Sequence, residues 1–134
     1  MLDEITATYE EMAHEIKKRE QLLVVGEPSN DTWARDHGFI TLTDDKGHAR
    51  LLDFQFNGWG KKFPAELDNA INRRLYDEGR MQGEYVDCLD FVLEGGSIES
   101  DGRGTILTTS QCLLSPNRNR HLSKQQIEDV LESR

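Results

Sequence analysis

The sequence predicts an α/β protein in which a unit of helix, strand, acidic loop and β-hairpin occurs twice. Apolar residues at helical spacing alternate with short apolar runs that suit buried strands. Two hairpin turns, 44–47 and 101–104, begin 57 residues apart, and two loop carboxylates, Asp36 and Glu94, lie 58 residues apart. Such self-similarity is typical of repeat proteins, whose neighbouring units stack to bury a core. A chance match of common Asp-Gly turns is the alternative.

The first unit spans about residues 3–60. Its helix is predicted from four apolar residues on one face: Ile5, Tyr9, Met12 and Ile16. A buried strand at 22–26 follows, and then a loop at 33–38 that contains Asp36. The runs 39–43 and 49–56 predict two strands, which the turn at 44–47 joins as a hairpin.

The second unit spans about residues 64–119 and repeats this order. Pro64 suits a first helical position, and the helix that follows has a predicted apolar face of Leu67, Ala70, Ile71 and Leu75. Runs at 85–88 and 91–93 suit buried strand, and Glu94 follows them in a loop. Residues 97–100 and 105–109 predict the second hairpin.

A third unit is expected to begin at residues 123–134. Ser123–Gln126 matches a capping box, and Ile127, Val130 and Leu131 give the next helix an apolar face. Since a complete unit continues into a strand and a loop, we expect residues 1–134 to be a single incomplete domain.

The amino-acid composition indicates which binding partners and which cellular location to expect. The net charge is −9 with no basic patch, so neither a nucleic acid nor an anionic membrane is an expected partner. No apolar run approaches the roughly 20 residues of a membrane span, and the acidic start is unlike a signal peptide, which predicts a cytoplasmic protein. Cys88 and Cys112 are too few for a disulfide framework and show no metal-ligand spacing with the histidines, so no metal site is predicted.

Asp36 and Glu94 are the candidate functional residues. Both lie in loops that follow a buried strand, where α/β proteins place their sites. Gly95 and Gly96 permit close backbone approach beside Glu94, which leaves that loop free for a ligand. Two carboxylates facing each other repel, and a planar, permanently charged guanidinium relieves that repulsion. The alternative is that Asp36 pairs with Arg35 and that Glu94 caps a turn.

Four blocks in this order resemble the agmatine deiminases and bacterial peptidyl-arginine deiminases: residues 33–38, 56–60, 93–98 and 107–119. The resemblance runs from the first predicted helix to Arg134. It implies a segment of a five-bladed α/β propeller of pseudo-repeats around an acidic pocket. It also implies hydrolysis of a guanidinium group to a ureido group plus ammonia, without a metal or an organic cofactor. Agmatine as substrate would place the reaction on a route to putrescine.

The resemblance implies roles for particular residues. Asp36 and Glu94 would hold the N–H groups of a small cationic guanidine, and Trp33 and Trp59 would line the pocket along its methylene chain. Core packing is the alternative for each tryptophan, since either role buries a large ring. His37 stands where the family usually has Thr, and Phe39 where Pro is common. For His37, altered substrate contact or an ordinary loop position are the two interpretations.

The family's nucleophilic Cys and its Gly-His-x-Asp segment have no counterpart among these motifs. Cys112 is predicted to be a structural residue at a strand end, because free cysteines are usually buried. We therefore expect the 134 residues alone not to hydrolyse agmatine or arginine. Three hypotheses remain: a deiminase segment, a non-catalytic guanidinium-binding module, and a module that self-associates through its repeat faces as a homo-oligomer.

Overall fold

The computed structural model describes residues 25–134 of the chain. In chain order the elements are α1 (Ala34–His37), β1 (Ile40–Thr43), β2 (Ala49–Gln55), a left-handed turn (Gly58–Lys61), α2 (Glu66–Asn69), α3 (Ile71–Asp77), β3 (Glu84–Val92), a 3-10 turn (Gly95–Ser97), β4 (Ile98–Ser100), β5 (Ile106–Thr108), α4 (Ser110–Leu113) and α5 (Lys124–Ser133). They form a three-stranded sheet, β1-β2-β3, and a two-stranded sheet, β4-β5.

The three-stranded sheet is mixed. β1 pairs with β2 antiparallel, from Ile40 opposite Leu52 to Thr43 opposite Ala49. β2 pairs with β3 in parallel, from Arg50 beside Glu84 onward, and α2 and α3 lie between these strands in the chain. A parallel pair needs such a crossover because its second strand must start again at the same edge.

Both predicted hairpins are present, and their turns have the same chemistry. The Asp44 side chain accepts the backbone N–H groups of Lys46 and His48, and Asp101 accepts those of Arg103 and Thr105. An aspartate that satisfies its own turn in this way favours a local reversal of the chain. β4 and β5 pair antiparallel as predicted.

The apolar core lies between one face of the sheet and the last helix. Six buried side chains form it: Leu52, Phe54, Cys88, Phe91, Leu93 and Ile127. α5 begins with the predicted capping box, in which Ser123 and Gln126 satisfy each other's backbone N–H groups. Val130 and Leu131 pack against the same cluster, so the predicted third helix and its apolar face are confirmed.

β3 is one strand with an irregularity, where the sequence predicts two separate runs. Phe54 lies beside Cys88, but the next residue of β2, Gln55, lies beside Val92. Residues 89–91 are therefore extra on the β3 side, as in an enlarged β-bulge. Asp90 interrupts the apolar pattern at this point without ending the strand.

The helix after Pro64 differs from its prediction. It begins at Glu66 and is divided into α2 and α3, and its buried residues are Asp68 and Asn72. Leu67, assigned to the buried face, is 41% exposed. The buried side is polar because Asn72 donates to the buried Asp53 carboxylate (2.8 Å) and to the His37 carbonyl (2.8 Å).

Residues 34–37 form a helical turn rather than the predicted loop, closed by a hydrogen bond from the Gly38 N–H to the Ala34 carbonyl (2.8 Å). All of the first predicted helix and most of the first predicted strand lie outside the described residues. The two strand positions inside them, 25 and 26, have no regular secondary structure. Among the described residues, no helix is both long and apolar enough to cross a bilayer.

His37 is the last residue of this helical turn, and its side chain is buried. Its ring packs on Phe56, with the centroids 5.8 Å apart, and its Nδ1 has no hydrogen-bond partner. Burial lowers the pKa of His37 below the ordinary value, because the protonated ring loses its hydration. Neither interpretation of His37 from the sequence anticipated a packing residue.

We expect the protein to lose stability as the pH falls from about 7.5 to about 5. The unfolded chain binds a proton at His37 more readily than the folded chain does. The stability from neutral His37 is therefore present above the unfolded pKa and is lost as the pH falls through the folded pKa. Thermal midpoints of the wild type and His37→Gln across this range measure the effect. His37→Gln flattens the profile and His121→Gln, at an exposed histidine, does not; equal slopes in all three proteins would contradict the assignment.

Candidate functional site

Three segments meet at one edge of the three-stranded sheet. Because β2 and β3 are parallel, the residues that follow them lie at the same edge, namely the left-handed turn after β2 and Glu94 after β3. β1 runs the opposite way, so the residues that precede it, including Asp36, also reach this edge. Parallel strands place candidate site residues at such an edge.

The Asp36 carboxylate is held by two neutral donors. The Trp59 indole N–H donates to its Oδ2 (3.0 Å), and the Gly96 backbone N–H donates to its Oδ1 (3.1 Å). Within residues 25–134 no basic side chain forms an ion pair with Asp36, so the predicted alternative of an Arg35 pair does not occur there. The two donors fix the plane of the carboxylate without supplying a positive charge.

Gly95 and Gly96 are required by the approach of the α1 segment. A Cβ atom on Gly96 would overlap Oδ1 of Asp36, and one on Gly95 would overlap the carbonyl oxygen of Arg35. The predicted close approach is therefore real. The groups that approach these two glycines belong to the α1 segment, namely the Asp36 side chain and the Arg35 carbonyl. The space that the sequence predicted for a ligand is therefore occupied by the protein itself at this point.

Glu94 is buried and paired with Arg118. The residue is 3% exposed. The Arg118 Nε donates to both carboxylate oxygens (2.8 and 2.9 Å), and Nη2 lies 2.8 Å from Oε1. A buried carboxylate needs such a partner because an isolated buried charge is costly. Arg118 therefore covers the Glu94 carboxylate, which does not open onto a cleft within residues 25–134.

Arg118 is positioned by its two neighbours in sequence. Asn119 exchanges hydrogen bonds with the backbone of Val92 at the end of β3, at 3.0 and 2.8 Å. The Asn117 carbonyl accepts the side-chain N–H of Asn57 at the end of β2 (2.9 Å). The segment thus spans the ends of both parallel strands and presents the guanidinium between them to Glu94.

The turn Gly58–Lys61 is left-handed throughout. The φ angles are 69° at Gly58, 57° at Trp59, 80° at Gly60 and 65° at Lys61. Each non-glycine residue in this conformation costs about 1–2 kcal/mol. The turn is stabilised by hydrogen bonds from the Lys61 N–H to the Asn57 carbonyl (2.8 Å) and from the Gly60 N–H to the Asn57 side chain (3.0 Å).

The two tryptophans lie in different environments. Trp59 is half-buried between Phe56 and Phe63, with ring centroids 5.0 and 5.8 Å away and nearly perpendicular ring planes. Trp33 precedes α1 and is 63% exposed. Its backbone carbonyl accepts the Asp36 N–H (3.0 Å), which holds the Asp36 backbone in place. Neither the core-packing alternative nor the pocket-lining role describes Trp59 fully, since its indole N–H holds Asp36.

The cysteines and a nearby cavity lie apart from the carboxylates. Cys88 is fully buried, and burial raises its thiol pKa, which opposes a reactive role. Cys112 lies in α4, not at a strand end as predicted. A cavity of about 590 Å³ beyond the left-handed turn is lined by residues that include Asn57, Lys61 and Phe63, but neither carboxylate lines it. Residues 25–134 contain no group of three potential metal-ligating His, Cys, Asp or Glu side chains.

The sequence predicted that Asp36 and Glu94 contribute to one site. It did not predict that Arg118 and the Trp59 N–H hold these carboxylates. Two signals could have found them. A buried Glu predicts a cationic partner, and Arg118 lies in the fourth block of the resemblance. Glycines on both sides of Trp59 indicate backbone with positive φ.

Arg118→Ala is expected to lower the free energy of unfolding by about 3–5 kcal/mol, because it leaves Glu94 buried and unpaired. Arg50→Ala is the matched control. Arg50 forms a pair with Glu84 whose side chains are 47% and 68% exposed, so its loss should cost less than about 1 kcal/mol. Urea unfolding of the three proteins compares the two pairs. Similar small losses in both variants would show that Arg118 does not compensate Glu94.

Comparisons with known proteins agree with the motifs. The family model of Porphyromonas-type peptidyl-arginine deiminase matches residues 1–134. An agmatine deiminase of Pseudomonas aeruginosa (strain LESB58) is 45% identical over 113 residues, which are 81% of this chain and 30% of that protein.

Solved structures give the same result. A variant of C. jejuni agmatine deiminase with substrate bound matches with a TM-score of 0.74 and 43% identity, over 90% of this chain and 35% of its own. An agmatine deiminase of Enterococcus faecalis matches with a TM-score of 0.72 and 40% identity, over 84% of this chain and 33% of its own. This chain thus spans about a third of the length of these relatives and shares their mixed α/β fold.

The resemblance expected from four sequence blocks is therefore confirmed by a family match over the full 134 residues, and the chain belongs to the Porphyromonas-type peptidyl-arginine deiminase family.

Proposed function

We propose that this chain forms part of a deiminase that hydrolyses the guanidinium group of agmatine, or of an arginine derivative, to a ureido group plus ammonia. One observation carries the proposal: the Asp36 carboxylate is oriented by two neutral N–H donors, and no basic side chain of residues 25–134 forms an ion pair with it. The names of the relatives support the same chemistry. The relatives compared above are agmatine deiminases, and the matching family model is that of Porphyromonas-type peptidyl-arginine deiminase.

Asp36 is suited to bind a guanidinium. Each carboxylate oxygen has accepted one hydrogen bond and retains a second lone pair, so the pair of oxygens can accept two parallel N–H groups. A bound guanidinium supplies the positive charge that the neutral N–H donors of Trp59 and Gly96 lack. A bidentate contact also fixes the plane of the substrate, which is the orientation that attack at the guanidinium carbon needs.

Glu94 has a different part in the proposal. Its charge is met by Arg118 and its carboxylate is buried, so it adds no free charge to the site. We assign it to fixing Arg118 beside Asp36, and Trp33 to contact with the methylene chain, because that ring is exposed next to α1. Trp59 would close the pocket on the other side.

The hydrolysis also needs a nucleophile and a proton-transfer group. Attack of a thiolate on the guanidinium carbon expels ammonia, and water then releases the ureido product. The resemblance assigns these steps to a Cys and a His outside the motifs described here. The residues of this chain bind and orient the guanidinium, and Cys112 is not assigned to the attack.

The proposal also extends to the architecture of the domain and to its cellular location. We propose that the β1–β2 and β4–β5 hairpins belong to successive units of a five-bladed propeller, about 3–60 and 64–119, with α5 opening a third. The support is the common order of acidic segment and hairpin in both units. A cytoplasmic location, self-association and a link to putrescine formation stay predictions, and no metal or organic cofactor enters the proposed reaction.

The test uses the protein encoded by the whole reading frame that contains these residues. Asp36→Asn keeps the shape and removes the charge, and we expect it to lower kcat/KM for ammonia release from agmatine by about 100-fold or more. Asp45→Asn makes the same change at the exposed β1–β2 turn and should leave kcat/KM within about twofold. A peptide with a C-terminal arginine serves as the second substrate.

Three outcomes decide the proposal. Turnover that falls only in Asp36→Asn supports it, and the faster substrate identifies the class. An Asp36→Asn enzyme as active as the wild type removes Asp36 from the site. Cys112→Ala should retain activity, and its loss would overturn the structural role assigned to Cys112.

A further inference from the structure

We propose that the left-handed turn Gly58–Lys61 is a positioning element that aligns both carboxylates of the site. One side of the turn holds Asp36 through the Trp59 indole. The other side holds Arg118 against the Gly60 backbone, and Arg118 holds Glu94. The proposal rests on the proposed function, since it takes Asp36 as the group that meets the guanidinium and Glu94 as the group that fixes Arg118 beside it.

The first contact aims a single N–H group. Trp59 has φ 57° and ψ 47°, a conformation that L-residues avoid. In this conformation its ring lies edge-on between Phe56 and Phe63, with centroid distances of 5.0 and 5.8 Å. Packing on both sides restricts the ring, so the N–H stays directed at the Asp36 Oδ2 (3.0 Å). Strained residues of this kind concentrate at functional sites, where the surrounding structure maintains them.

The second contact places Arg118 close to the backbone of Gly60. A Cβ there would lie 3.4 Å from Nη1 of Arg118 and 3.3 Å from Cβ of Asn117. The guanidinium therefore lies against the backbone of the turn, with its Nε and Nη2 facing Glu94. Asn57 fastens the same two segments, because it accepts the Gly60 N–H (3.0 Å) and donates to the Asn117 carbonyl (2.9 Å).

The turn cannot easily take another shape. A Cβ on Gly58 would overlap the Phe63 carbonyl oxygen, and Gly58 has a φ of 69°. The carbonyl of Gly58 accepts the Lys62 N–H (2.9 Å), and that of Asn57 accepts the Lys61 N–H (2.8 Å), so the left-handed turn is closed by its own hydrogen bonds. One rigid piece of backbone thus connects Asp36 to Glu94.

The first experiment isolates the indole N–H. In the protein of the whole reading frame, Trp59→Phe keeps an aromatic ring between Phe56 and Phe63 and removes the donor. We expect kcat/KM for agmatine to fall by about 10- to 100-fold. In an Asp36→Asn background the same substitution should have little further effect, because the group it positions is already altered. Additive losses, or a Trp59→Phe enzyme as active as the wild type, would overturn the positioning role.

A spectroscopic measurement reads the contact without turnover. The indole ¹H–¹⁵N resonance that disappears in Trp59→Phe is that of Trp59, and Asp36→Asn should shift it while the Trp33 resonance stays in place. An unshifted Trp59 resonance overturns the contact. A wild type that releases no ammonia from either substrate overturns the proposed function, and the resonance then still decides whether the turn holds Asp36.

The second experiment tests Gly60 against a glycine of the same backbone conformation. Gly60 has φ 80° and Gly79 has φ 69°, but a Cβ on Gly79 would meet nothing within 4 Å. Both alanine variants carry similar backbone strain, and Gly60→Ala adds a tight contact with Asn117 and Arg118, so its loss in thermal unfolding should be at least as large as that of Gly79→Ala. Only Gly60→Ala should also lower kcat/KM, by about tenfold, because its Cβ shifts the segment that carries Arg118. Equal kcat/KM in the two variants, both measured well below their melting temperatures, would contradict this half of the proposal.

Discussion

The parallel pairing of β2 with β3 is the constraint on which the rest of this site depends. It brings the ends of two strands, separated in the chain by two helices, to one edge of the sheet. Without it the turn after β2 and Glu94 after β3 would have no reason to meet. The antiparallel pairing of β1 adds Asp36 to the same edge from the opposite chain direction. The sheet thus converts residues far apart in sequence into neighbours.

The two carboxylates are stabilised by different kinds of partner. Asp36 is only partly buried, and neutral N–H groups suffice to orient it. Glu94 is buried, and a bidentate arginine compensates its charge. The two carboxylates therefore differ in how their charge is balanced. That of Glu94 is balanced by Arg118, whereas Asp36 forms no ion pair with a basic side chain of residues 25–134.

Local chemistry decided which features could be predicted from the sequence. The hairpins follow from aspartates that satisfy their own turns, and α5 follows from its capping box, so both were predictable. The buried side of α3 was not, because Asn72 is buried through a polar contact with Asp53 that apolar periodicity cannot signal. Asp36 and Glu94 could be placed together, but the partners of each depend on contacts between distant segments. Arg118 and Trp59 are the clearest examples.

The irregularity in β3 has a consequence for the depth of Glu94 at the edge of the sheet. Between the rows that pair Phe54 with Cys88 and Gln55 with Val92, β3 uses three more residues than β2. In a regular strand those residues would advance the chain by about 10 Å. Residues 89–91 stay within β3, and the Phe91 side chain is buried in the core, so the extra length is taken up inside the strand. Their number fixes that Val92 pairs with Gln55, and Glu94 follows two residues later at the edge of the sheet.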